Sequence, residues 1–292
     1  MLESFQHLGE KMIQLNSGWF GGRPALASAQ LREAHDLGFY GISLLPGEPG
    51  LNLEGLAEAR ADTGARFGAA ALDALRQNDQ DGLGEVVPRL KELGSKLLII
   101  ESPLLAKETL VANAEQLLSR KRAGANLDGD EACEQFLLAL ADDCSGEQQL
   151  DHLVRRLYSV CHAYPGLQIA LRPHPSPAGL LNPEYFRLLF GELSELPVGL
   201  WYCPGTVHTR MDCGLEAVGD WLELAPDRIF GCSLQDYADG VTHLLPGDGV
   251  VDFQSIVEYI PRDCQKVLTV APAYPKEDLL ETVRLLYSYG IK

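Results

Sequence analysis

Short apolar runs alternate with amphipathic stretches along nearly the whole chain. Runs at residues 11–16, 41–45, 66–71, 96–101, 167–172, 198–203, 229–234 and 266–270 have strand length, and a plausible helix follows each one. They recur roughly every 30 residues, the spacing of repeated βα units. Punctuation residues support the helices: Pro24 is placed to open the first, Gly38 to close it, Gly94 to close the third, and Pro275 to begin the last. Eight such units without a break in composition predict a single α/β domain over residues 1–292, a closed (β/α)8 TIM barrel in preference to an open sheet.

One interval breaks the rhythm. Between Glu101 and Leu167 the chain is longer by about 40 residues, enough for two further helices near 105–120 and 131–141, so a helical insertion is expected at about 103–146. An insertion after strand four emerges at the C-terminal face of a barrel, where enzymes of this architecture place lids. A decorative or subunit-contact role would produce the same pattern, and a homo-oligomer is compatible with it.

Composition narrows the function classes. The formal net charge of −17 excludes a surface that tracks phosphate backbones, so no nucleic-acid partner is expected. No apolar stretch is long enough to span a bilayer, and the opening MLESFQHLGEK lacks the basic-then-apolar layout of a secretory signal. Seven scattered cysteines, with no C-x-x-C pair, read as reduced thiols of a cytoplasmic protein.

In a barrel, chemistry is read from the C-terminal strand ends. The polar residues there are Asn16 and Trp19, Glu48, Asp73, Glu101, Arg172 and His174, Cys203 with His208 and Arg210, Ser233, Gln235, Asp236 and His243, then Tyr274 and Lys276. The stretch from Arg228 to Phe253 is the richest: a strand, a polar strand end, and the loop His243 to Gly249, whose two glycines permit sharp turns before Asp252 caps a helix. The loops at 19–22 and 47–50 have the character of pocket walls and do not fit a phosphate-cradling P-loop.

Three passages carry a family resemblance: Ala34-His35-Asp36-Leu37-Gly38-Phe39-Tyr40-Gly41-Ile42, Ser233-Leu234-Gln235-Asp236, and His243-x-x-Pro246-Gly247-x-Gly249 leading into Val251-Asp252-Phe253. With the element order, they resemble the xylose-isomerase-like TIM barrels, a group that includes sugar phosphate isomerases and epimerases, inosose dehydratases and AP endonucleases. The resemblance implies a divalent metal held by acids at strands five, six and eight and a histidine at strand seven. The corresponding residues here are Arg172, Cys203, Ala271 and Ser233. A guanidinium, a thiol, a methyl group and a hydroxyl do not make the oxygen-rich set a hard cation needs, so no metal and no other cofactor is expected. The endonuclease branch is disfavoured further, because Val241 stands where it has an aspartate two residues before the histidine. His174, Cys203, His208, Asp236 and His243 are ligand types that suit zinc, but none forms a close-spaced ligand pair.

Each remaining candidate carries two readings. Arg172 either pairs internally with Glu101 or Asp236, or takes the place of the lost cation and polarises an anionic or carbonyl group. Asp236 and His243 either supply acid–base chemistry, together with His208, or satisfy the backbone of their own loop. His174, between Pro173 and Pro175, is either aimed into the mouth or part of a stiff turn. Cys203 beside His208 and Arg210 is a candidate thiolate or an inert buried thiol. The leading expectation is an isomerase- or epimerase-like enzyme acting on a small polar or anionic metabolite, with Arg172 as electrophile, His208, Asp236 and His243 moving protons, and Asn16, Trp19, Glu101, His174, Gln235 and Tyr274 binding substrate. The rival is a noncatalytic barrel kept as a binding or assembly module.

Overall fold

The computed structural model describes residues 13–47, 52–75 and 82–291. Eight parallel strands close into a barrel: β1 (Ile13–Asn16), β2 (Gly41–Leu44), β3 (Arg66–Ala71), β4 (Leu97–Glu101), β5 (Gln168–Arg172), β6 (Val198–Tyr202), β7 (Ile229–Leu234) and β10 (Gln265–Leu268), with β10 completing the ring against β1. Each strand overlaps one of the apolar runs read from the sequence. Glu48 and the 47–50 loop beyond Gly47, like residues 11 and 12 of the first run, lie outside the described residues.

Helices surround the ring and bury their apolar faces against it. They are α1 (Ala27–Asp36), α2 (Leu56–Thr63), α3 (Leu72–Leu75), α4 (Leu83–Glu92), α5 (Glu108–Arg122), α6 (Glu131–Ala141), α7 (Ser145–Ala163), α8 (Pro183–Glu192), α9 (Pro204–Met211), α10 (Val218–Leu222), α11 (Phe253–Ile256) and α12 (Lys276–Ser288). Pro24 does not open α1, which starts three residues later, but Gly38 and Gly94 follow their helices at positive φ and Pro275 is the N-cap of α12. The long interval between β4 and β5 holds three helices, α5, α6 and α7.

The lumen is filled by side chains in layers. Near the bottom, Gln14 donates to Gln265 at 2.6 Å and accepts from Ser43 at 2.5 Å. Higher up, Gly231 leaves room for the Trp201 indole, since a Cβ there would lie 2.1 Å from the ring. The indole N–H donates to Ser233 Oγ at 2.9 Å. This plug makes the upper strand ends the floor of any site.

After β7 the chain forms an antiparallel hairpin, β8 (Asp236–Ala238) and β9 (Val241–Leu244), turning at Asp239 and Gly240, both at positive φ. The Asp-Gly pair flanked by extended residues is the usual mark of such a turn, and it lifts His243 above the barrel rim.

Candidate active site at the barrel mouth

Register places Arg172 directly opposite Glu101 on adjacent strands, and strand alternation turns both into the mouth. Arg172 Nη1 lies 3.2 Å from Glu101 Oε2, and its Nη2 points at Cys203 Sγ at 3.9 Å. Arg172 is only 9% exposed, yet its Nε–H has no partner among the described residues. Glu101 is partly exposed; burial raises its carboxyl above the usual range, Arg172 opposes the rise, and Asp73 adds to it.

His174 completes this corner. Its Nδ1 accepts the Ser176 backbone N–H at 3.0 Å, so the neutral ring carries its proton on Nε2, which faces Glu101 Oε1 at 3.8 Å. Burial, then the charges of Arg172 and Arg210, lower His174 to about 4. His243 is also lowered to about 4, by burial first and Arg172 second. Its backbone adopts a φ of 63°, its N–H donates to Gln235 Oε1 at 2.9 Å, and its Nδ1 lies 2.8 Å from the Thr242 hydroxyl. Gln235 spends its other end on Cys203 Sγ at 2.8 Å, joining the β6 and β7 ends to the hairpin.

Arg172, His174, Gln235 and His243 line one cavity of about 500 Å³, within the size range of small-molecule sites. Its other walls are Glu115, Leu118, Ser119 and Arg122 of α5, Pro175 and Ser176, Thr206 and Thr209 of α9, and Gly240 and Thr242 of the hairpin. The segment between β4 and β5 thus supplies one side of the site. Glu101 does not line this cavity; it stands beside Arg172 and His174, which do, and faces their polar atoms.

The remaining candidates fall elsewhere. Asp236 is fully buried and accepts three backbone N–H groups, from Tyr237 and Val251 on Oδ1 and from Gly247 on Oδ2, all within 2.9 Å. Expected to move substrate protons, it instead uses its carboxylate to clamp the loop and is not among the residues lining the cavity. Gly249 belongs to the same clamp, since a Cβ there would lie 2.4 Å from Asp236 Oδ1. His208 stacks on Tyr237, ring centroids 5.7 Å apart, and does not line the cavity; burial lowers it while Asp212 and Asp236 pull the other way. The acid–base role expected for it does not match that placement. Asn16 Oδ1 accepts from Val270 N–H at 3.2 Å, and Trp19 donates its indole N–H to the Tyr274 carbonyl at 3.0 Å, so these three residues tie the β1 and β10 ends together. Arg210, buried, is held by Glu216 at 2.6 Å and donates to the Ser176 carbonyl at 3.0 Å, which fixes the turn that carries His174. The α5 wall went unread as a site, although its cations were visible in the sequence.

The residues present do not fit the metal of similar barrels. Ser233 is engaged by Trp201, Cys203 by Gln235, and a guanidinium occupies the strand-five position. Among the described residues, no three His, Cys, Asp or Glu side chains are grouped so as to hold a metal ion, and the five zinc-type residues are not brought together. Also among the described residues, no helix is long and apolar enough to cross a membrane.

The sequence matches no protein-family model and no curated protein. Solved structures do share the architecture. The chain superposes with a TM-score of 0.60 on 3-keto-D-glucoside 4-epimerase from E. coli, at 16% identity over 96% of this chain and 100% of that one. A xylose isomerase domain containing protein from Salmonella typhimurium gives 0.60 at 14% identity, covering 97% and 98% of the two chains. An IolI protein with a bound zinc atom gives 0.56 at 14% identity, covering 96% and 98%. What these structures share with this chain is the closed eight-stranded TIM-barrel fold.

The two cavity histidines predict a pH dependence. Both have folded values near 4 against an ordinary 6.5, so between those values the unfolded chain binds more protons. Their contribution is fully present above pH 6.5 and is lost as pH falls through 4. Urea denaturation between pH 7 and 4.5 is expected to show falling stability, with a shallower fall in His174→Gln/His243→Gln; equal slopes would contradict the assignment.

Proposed function

We propose that the mouth binds a small polar, anionic metabolite on Arg172 and moves a proton on it with Glu101, in isomerase- or epimerase-like chemistry that uses no metal and no cofactor. The observation that carries this reading is Arg172 itself, a buried guanidinium with an unpaired N–H beside a cavity. Desolvation strengthens its pull on a carbonyl or carboxylate oxygen. A substrate oxygen on that guanidinium stands close to Glu101, whose carboxyl burial raises above the ordinary carboxylate range, the direction that makes it a stronger base. Glu101 removes a proton from the carbon beside a carbonyl. The C–H electron pair shifts into the carbonyl, and the resulting enolate oxygen is stabilised by Arg172. Returning the proton to the former carbonyl carbon, while the hydroxyl proton on the first carbon passes to the enolate oxygen, moves the carbonyl to the first carbon and completes an isomerisation. His174 and His243, both neutral, orient substrate hydroxyls.

The similarity of the fold to a sugar epimerase supports the scale of substrate. The Arg172–Glu101 contact and the clamped Asp236 favour one other reading, a binding module without turnover, because they leave few free acid–base groups. Glu101→Gln separates the two. The catalytic reading predicts a fall in turnover of about 10² to 10⁴ with ligand affinity nearly unchanged. Wild-type protein that binds sugar acids without converting any of them supports the module.

A further inference from the structure

Three consecutive cations end α5, and they have different fates. Arg120 pairs with Asp130 at 2.5 Å and Lys121 with Asp212 at 3.2 Å. Arg122 pairs with no carboxylate among the described residues, and it lines the cavity that holds Arg172. Its placement is built. Gly240, at a φ of 80°, lies so close that a Cβ there would stand 3.3 Å from Arg122 Cα and Cγ, so the arginine stem rests on bare backbone. Gly240 N–H donates to Tyr237 Oη, Tyr237 donates to Asp212, and Asp212 holds Lys121. This chain fixes the end of α5 against the hairpin turn.

We infer that the cavity takes a ligand with an anionic group at each end, one bound by Arg172 and the other by Arg122, joined by a hydroxylated chain. Ser119, Thr206 and Thr242 line the same cavity and supply hydroxyls, with Glu115 of α5 as an acceptor for ligand hydroxyls. The chemical class is a sugar acid bearing a second anionic group such as a phosphate. The inference rests on the proposed role of Arg172 and adds the second site.

Calorimetric titration with gluconate, glucose 6-phosphate and 6-phosphogluconate tests it. The doubly anionic probe is expected to bind about tenfold more tightly than either singly anionic one. Arg122→Gln is expected to reduce its advantage over gluconate to within about twofold, and Arg172→Gln to weaken gluconate and 6-phosphogluconate together. If gluconate binding depends on Arg172 but the phosphate adds nothing, or its advantage survives Arg122→Gln, the second site is refuted and the reading of Arg172 stands. If no probe depends on Arg172, both fail.

Discussion

Arg172→Ala is expected to weaken binding of anionic metabolites by roughly 100-fold, equivalent to about 3 kcal/mol, and to abolish turnover. The magnitude follows from burial. The guanidinium is almost entirely screened from water, so a ligand oxygen that meets it exchanges few hydration contacts for a charge-assisted bond. Two features distinguish this from a general loss of structure. Glu101 is partly exposed and can take up a proton when its partner is removed, so the variant is expected to fold. Added guanidinium ion is expected to restore part of the turnover, as it would not in a misfolded protein. On the proposed reading, chelators are expected to leave the wild-type protein unaffected, because the guanidinium would supply the positive charge at the mouth.

Asp236→Ala is expected to act on stability. Removing the carboxylate leaves the N–H groups of Tyr237, Gly247 and Val251 without their acceptor in a closed loop. Each buried unpaired group costs about 1–3 kcal/mol, and a loss of about 3–5 kcal/mol allows for relaxation. A thermal melt should fall by roughly 10 °C. A residue acting only as a proton carrier would leave the melting temperature unchanged on substitution, so the same measurement judges the corrected role.

The barrel was legible because its signal is repeated. Eight apolar runs of strand length at regular intervals survive errors of one or two residues in any of them, and the Asp252 cap came through as read, accepting from Gln254 and Ser255. The site was legible in part. Arg172 follows from strand position, because a strand end can point only into the mouth or away from it, whereas His174, two residues beyond β5, sits in a turn that Arg210 fixes through Ser176. His208 lies on α9, where its direction depends on the rotation of a helix that the sequence leaves open. The clamp made by Asp236 was hidden for another reason: two of its three partners lie 11 and 15 positions further on, and a loop that returns to a carboxylate leaves no periodic trace. The hairpin that carries His243 did leave a trace, the Asp239-Gly240 pair. Arg122 needed the path of α5, which no local pattern specifies.

At the centre of the proposal Arg172 supplies the positive charge at the mouth, without a metal. Native mass spectrometry tests it most directly, on wild-type and Arg172→Ala protein equilibrated with a small-molecule extract and then treated with chelator. The account predicts a small anionic adduct that survives chelation in the wild-type protein and is missing from the variant. An adduct lost on chelation, or held equally by the variant, would contradict it.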